Sequence, residues 1–277
     1  MVTAVAMLYP RPMEIDIPKV RIASVEDIRP AAIHFRDKVR ELVGLRIAAT
    51  DNIAARLPMR DAEGELLATT VFGWSEEADC WWADPRFALR TPLAEACRIE
   101  SQPFWANRDG AWDMAGRRIL EGFDFSYFGK TISHAASIVV PVHLPFSRIG
   151  LAAFSCIDDR RADLSEELRL HGPALYLMSH FFIGDYARLA LTAKKWLPDP
   201  VALTQLEVAC LRWISRGKTD DEVAIIMGRA RPTIRFHLQN ASLKLGAVNR
   251  TQAVFRAAQL GFLTAPTGSQ VGEWSAG

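Results

Sequence analysis

Paired cysteines are missing from this chain. Its four, at positions 80, 97, 156 and 210, make no CxxC pair, which excludes a zinc ribbon and argues for a reduced compartment over a disulfide framework. Long apolar runs are missing too: none approaches the ~18 uninterrupted apolar residues of a membrane span. The opening stretch MVTAVAMLYPRPMEIDIPK has no basic segment before its short apolar run and soon meets prolines. A cytoplasmic protein with neither export signal nor membrane span is expected. Charge of one sign is lacking as well, because the formal net charge is +1 and so favours no class of charged partner. Catalytic patterns are equally scarce. The histidines at 34, 134, 143, 171, 180 and 237 form no HExxH or Cys/His pair, and His171 and His180, nine apart, fall on opposite sides of a helix. Ser155 and Cys156 lack a GxSxG elbow. Neither an enzyme nor a bound metal or cofactor is expected.

What is present is a chain of 277 residues, 49% hydrophobic, enough for a core and comfortable for two domains. SVEDIRPAAIHFRDKVREL reads as a helix capped by Ser24, with Pro30 a point of kink or restart. LLATTVFGW and HAASIVVPVHLPFSRIGLAAFSCID read as strands, the second as two strands around LPFSRIG. LSEELRLHGPALYLMSHFFIGDYARLALTAKK returns to helical spacing, with Gly172 and Pro173 breaking it into two helices. The expected class is α+β: an α/β/α sandwich over residues 1–195, a linker at 196–202 marked by WLPDP, an all-α four-helix module over 203–263, and a flexible tail at 264–277.

The C-terminal module carries the clearest local signals. Thr204 can cap a first helix, Thr219 and Glu222 form a capping box for a second, Pro232 suits the first turn of a third, and Asn249 can start a fourth. Only RARP separates Gly228, which ends the second helix, from the third, so the two form a helix-turn-helix. From Asp199 to Leu263 nine Arg and Lys stand against five Asp and Glu, which makes this quarter locally basic. In RPTIRFHLQNASLKLG, Ile234, Leu238, Ala241 and Leu245 form an apolar stripe. Arg235, Phe236, Gln239 and Asn240 face away from it and supply a guanidinium for guanine, amides for adenine and an apolar group for a thymine methyl. Arg231, Thr233 and Lys244 can reach phosphates. A plain helical bundle with a solvated basic face remains the alternative at this level, and Leu243, also outward, has no assigned role. In the larger region, Trp74, Trp81, Trp82, Trp105 and Trp112 cluster with Phe87 and Phe104, either as walls of a small-molecule cavity or as core.

Leu203 to Leu263 closely resembles the LuxR-type helix-turn-helix domain along its whole length. Glu207, Leu211 and Gly217 fall on the family's opening pattern, Gly217, Lys218 and Thr219 on its GK[ST], Thr233 to Gly246 on its T[VI].FHL.N...KLG, and Arg250 to Val254 on its R.QAV. The resemblance implies that Arg235, Phe236 and Gln239 face bases, that Lys218 belongs to the DNA-binding set, and that the fourth helix pairs two copies, with Ala253, Arg256 and Ala257 at the dimer face. Leu206, Ala230 and Pro232 depart from the family pattern, and the turn loses a hydroxyl cap.

A weaker resemblance links FGWSEEADCWWADPRFALRTPLAEACRIESQPFWAN and ASIVVPVHLPFSRIGLAAFS to the autoinducer-binding domain of quorum-sensing regulators, an α/β/α fold that binds acyl-homoserine lactones. It implies ligand contacts at Trp81, Trp82 and Trp105. The family's ligand-binding aspartate falls on Thr91, or on Asp84 if there is an insertion, and a family glycine on Ser137. The implied protein is a homodimeric, ligand-sensing transcriptional regulator on a roughly palindromic double-stranded operator, with RNA polymerase as partner. It resembles a solo receptor whose ligand is not a standard acyl-homoserine lactone. A ligand-independent regulator and a conventional lactone receptor remain open.

Overall fold

The computed structural model describes residues 16–55, 57–74, 91–126, 128, 134–156, 161–192 and 201–263. They divide into two compact units: a larger one ending at residue 192, without the hairpin tip at 145–147, and a smaller one beyond it.

The larger unit is built on one antiparallel sheet. Its strands are β1 (Arg46–Thr50), β2 (Phe104–Asn107), β3 (Gly110–Asp113), β4 (Arg118–Ile119), β5 (Ala136–Leu144) and β6 (Arg148–Ser155). Their order across the sheet is β1-β6-β5-β2-β3-β4. Successive side chains on a strand point to opposite faces, so each face collects alternate residues. On one face, Ile47, Ile138, Val140 and Phe154 pack under α1 (Ile28–Val43) and α4 (Ser165–Thr192), which contribute Phe35, Val39, Leu168, Leu175, Met178 and Phe182. Phe35 meets Phe154 edge-on with ring centroids 6.0 Å apart. On the other face, Phe104, Ala106 and Val139 pack under α3 (Pro92–Ile99) through Leu93, Ala96 and Cys97. Helices on both faces bury β5 on both sides, which is why SIVVPV reads as a continuous apolar run rather than an alternating one.

Three sequence expectations for this unit need amendment. LLATTVFGW is no strand: Leu67–Thr70 is a helical turn, α2, and Leu67, Val71, Phe72 and Trp74 are buried together on its core side. Thr69 and Thr70 each turn their hydroxyls back onto the Leu66 carbonyl, which suits a helix as well as a strand. Pro30 neither kinks nor restarts α1, because it lies in the first turn, where a missing N–H leaves no bond unmade. Gly172 and Pro173 do not break α4, which runs from Ser165 to Thr192 as one helix. The Pro173 ring is on the exposed side, while Leu168, Leu175 and Phe182, seven residues apart, anchor both halves to the same sheet face. A Cβ at Gly172 would press on Leu168 Cδ1 at 3.2 Å and Met114 Cε at 3.3 Å.

The smaller unit consists of α5 (Gln205–Ser215), α6 (Asp220–Ile226), α7 (Arg231–Lys244) and α8 (Arg250–Gln259). Cys210, Leu211, Val223, Ile234, Leu238, Leu245, Ala253 and Ala257 form its core. Side chains of Thr204, Thr219 and Asn249 cap α5, α6 and α8 as their positions predict. The start of α7 differs, since Ala230 offers no side-chain cap. That loss is about 1 kcal/mol. Burial of Ile234, Leu238 and Leu245 contributes about 1.5–3 kcal/mol each, so packing rather than capping holds α7.

Candidate nucleic-acid interface

The turn between α6 and α7 is short because Gly228 takes a left-handed backbone, φ +59°. The Arg229 N–H then closes back onto the Ala224 carbonyl at 2.9 Å, and Pro232 opens α7 two residues beyond Ala230. α7 is thereby fixed with Ile234, Leu238 and Ala241 inward. Its outward side carries Arg231, Thr233, Arg235, Phe236, Gln239 and Leu243, all exposed, with Asn240 half-buried at the margin. Phe236 at 59% and Leu243 at 71% exposure are large apolar groups turned to solvent on the same stripe as Gln239. An exposed helix face bearing guanidinium, amide and apolar groups over two turns has the chemistry of base-edge readout.

Acidic groups hold several of these cations. Arg231 Nε lies 3.1 Å from Asp221 Oδ1, and Arg235 Nε lies 3.6 Å from Asp220 Oδ2. The other Asp220 oxygen accepts from Arg250 Nη2 at 2.5 Å. Lys218 Nζ donates to Glu222 Oε1 at 3.1 Å. The Thr219 N–H and Lys218 hold the Glu222 carboxyl down to about 2.

Lys244 is engaged within its own unit. Its Nζ donates to both carboxylate oxygens of Glu207 at 2.9 Å, joining α7 to the capping box of α5. Glu207 is buried, which opposes ionisation, but Lys244 and the Thr204 N–H outweigh that and keep its carboxyl below the ordinary range. Lys244 thus links α7 to the start of α5. One correction concerns α8. Ala253 and Ala257 are inside the unit's own core, and Arg256 donates to the Leu245 and Gly246 carbonyls at the end of α7. Ala253 and Ala257 therefore cannot form the outer face of α8, which carries Thr251, Phe255 and Ala258. Their i, i+4, i+7 spacing was available in the sequence.

The sequence-derived ligand set in the larger unit does not converge. Trp105 pairs with Ile138 across β2 and β5, and Ser137 pairs with Ala106, so the two point to opposite faces of the sheet. Trp105 stacks on Trp112 with centroids 4.4 Å apart, on the α1/α4 side, and its buried Nε1 has no hydrogen-bond partner among the described residues. Ser137 shares a buried hydrogen bond of 2.9 Å with Ser155. The Thr91 hydroxyl accepts from the Ala94 N–H at 3.1 Å and caps α3. Trp81, Trp82 and Asp84 lie outside the described residues. Among the described residues no group of His, Cys, Asp and Glu could hold a metal ion, and no helix is long and apolar enough to cross a membrane.

Residues 201–257 match the family of bacterial regulatory proteins, luxR family, also called GerE. The transcriptional activator protein VanR of Vibrio anguillarum is 33% identical over 154 residues, covering 55% of this chain and 62% of that protein. AhyR of Aeromonas hydrophila, also a transcriptional activator, is 28% identical over 173 residues, covering 62% and 64%. These alignments thus span less than two thirds of either relative. VjbR of Brucella abortus, a quorum sensing-dependent transcriptional regulator, is 52% identical over 64 residues, 23% of this chain and 25% of its own. Among solved structures, SdiA in complex with octanoyl-rac-glycerol aligns at 17% identity and a TM-score of 0.46 over 90% of this chain and 95% of its own. The helix-turn-helix of α6 and α7, with its capping boxes and its outward-facing α7, thus lies within the part of the chain, residues 201–257, that matches the luxR family of bacterial regulatory proteins.

Proposed function

We propose that this protein is a sequence-specific, DNA-binding transcriptional regulator that inserts α7 into the major groove. The observation that carries the reading is the exposed stripe of Arg235, Phe236 and Gln239 on a helix whose other side is locked into the core by Ile234 and Leu238. Two copies joined through Thr251, Phe255 and Ala258 of α8 would present two such helices to a roughly two-fold symmetric operator, where RNA polymerase is the further partner. Operator selection from a random duplex pool, followed by Arg235→Ala, tests this. The variant should lose about 1–3 kcal/mol at one operator position while its affinity for random duplex falls far less. Equal losses on both would contradict the assignment.

For the larger unit we propose a sensor of a small molecule other than a standard acyl-homoserine lactone. Two observations support it. The hydroxyl of Thr91 is already engaged as the cap of α3, and that of Ser137 is already engaged with Ser155. Neither offers a carboxylate to a ligand amide. A ligand that binds only the folded protein raises its thermal midpoint. A screen of lactones beside a varied metabolite set should give no lactone shift, and a clear one would return the protein to conventional lactone sensing.

A further inference from the structure

A carboxylate of the smaller unit that two arginines share lies beside the reading helix. Asp220 is the first residue of α6, its side chain is 10% exposed, and its two oxygens face different partners. Oδ1 accepts from Arg250 Nη2 at 2.5 Å, which ties the carboxylate to α8, and Oδ2 faces Arg235 Nε at 3.6 Å. Arg250 therefore holds the carboxylate, and the carboxylate stands at ion-pair distance from one edge of Arg235. The Arg235 side chain is otherwise 67% exposed, and among the described residues no other ion pair or hydrogen bond engages it.

We infer that Asp220 is a positioning residue for base reading, holding Arg235 by its Nε edge so that its two Nη groups stay available for a bidentate contact. This rests on the reading of α7 as the recognition helix. An exposed arginine explores many rotamers, and ordering one on binding carries an entropic cost. An ion pair made before DNA arrives removes part of that cost and selects the rotamer. A carboxylate near DNA also repels every phosphate it approaches, whatever the sequence. Asp220 thus lowers affinity for all duplexes and returns the difference as discrimination between base pairs.

The neighbouring pair is a built-in control. Asp221 and Arg231 are 3.1 Å apart, but their side chains are 60% and 54% exposed. The difference between the two pairs lies in the carboxylate: Asp221 is itself exposed, whereas Asp220 is 10% exposed and held by Arg250. Asp221 supplies the same charge without the same hold.

The test uses full-length protein and three duplexes at one salt concentration: the selected operator, the operator with the Arg235-read base pair replaced, and a random sequence. Asp220→Asn should bind random duplex about two- to five-fold more tightly. Its ratio of affinities for operator and replaced operator should fall about five-fold or more. Asp221→Asn should tighten binding to all three and leave that ratio unchanged. In an Arg235→Ala background, Asp220→Asn should change the ratio no further. The Thr219–Glu222 capping box still starts α6 in these variants, and circular dichroism checks the fold. Asp220→Ser takes the place of Asn if the amide does not fold. An Asp220 variant that keeps the ratio, while Arg235→Ala loses it, overturns this inference alone. Arg235→Ala that keeps the ratio overturns the reading of α7, and the inference with it.

Discussion

Replacing Lys244 by Met separates two roles that the sequence alone leaves confounded. The methionine keeps most of the aliphatic stem and removes the ammonium that bonds both oxygens of Glu207 at 2.9 Å. Glu207 keeps the Thr204 N–H at 2.7 Å, but its side chain is only 3% exposed, so water cannot replace the lost cation fully. Breaking a buried pair costs about 3–5 kcal/mol, and one charge-assisted hydrogen bond contributes about 1.5–3 kcal/mol. Lys244 is itself 38% exposed, which places the expectation at the lower end, about 2–3 kcal/mol. Hydrogen exchange of the full-length protein reads this directly. Amides of α5 and α7 should exchange about 30-fold faster or more, since each 1.4 kcal/mol is tenfold, while α1 and α4 stay unchanged. The pair also has a pH signature. The folded carboxyl lies below its ordinary value, so its stabilisation is complete above the ordinary glutamate range and is lost as pH falls through the lowered one. The Met variant should lack that acid-side loss. Unchanged exchange in α5 and α7, with weaker DNA binding and a flatter salt dependence, would refute the scaffold role and make Lys244 a phosphate contact.

Three other outcomes are expected. Gly150→Ala should destabilise the larger unit by about 1–3 kcal/mol, because the new Cβ would lie 2.7 Å from Ile183 Cγ2 and 2.9 Å from the Thr50 carbonyl; urea denaturation followed at the sheet measures it. Ser137→Ala should cost about 1–3 kcal/mol by leaving the buried Ser155 hydroxyl without its partner, whereas the Ser137→Ala/Ser155→Ala double variant should recover most of that in the same assay. Phe255→Asp, at a position 56% exposed, should leave the thermal midpoint in place and abolish self-association in analytical ultracentrifugation, while Ala257→Asp, in the core, should unfold the smaller unit.

The helix starts of the smaller unit were legible because capping chemistry is local. Thr204 with Glu207, Thr219 with Glu222, and Asn249 with Gln252 act across three residues, and a short window contains them whole. The outward side of α7 was legible for the same reason. Partners far apart in the chain were not. Glu207 and Lys244 are 37 residues apart, and Asp220 and Arg250 are 30 apart, so nothing in either segment announces the other. Ala253 and Ala257 misled for a different reason. Small residues permit close approach to any neighbouring helix, and here both lie in the core of their own unit. In the larger unit, Thr69, Thr70 and Val71 favour a strand by their branching, and burial of Leu67, Phe72 and Trp74 on one side overrides them. Pro173 was overridden likewise by a sheet long enough to seat both halves of α4.

The two capping boxes have a consequence for the chemistry left at the surface. Residues 201–263 contain two lysines, 218 and 244, and each is held by the glutamate that closes a helix start. The cations on the exposed side of α7 are accordingly guanidinium groups, planar and permanently charged, suited to two parallel bonds with one acceptor edge. Acylation of amines, enzymatic or chemical, would therefore strike the joints between helices and leave the reading surface chemically intact.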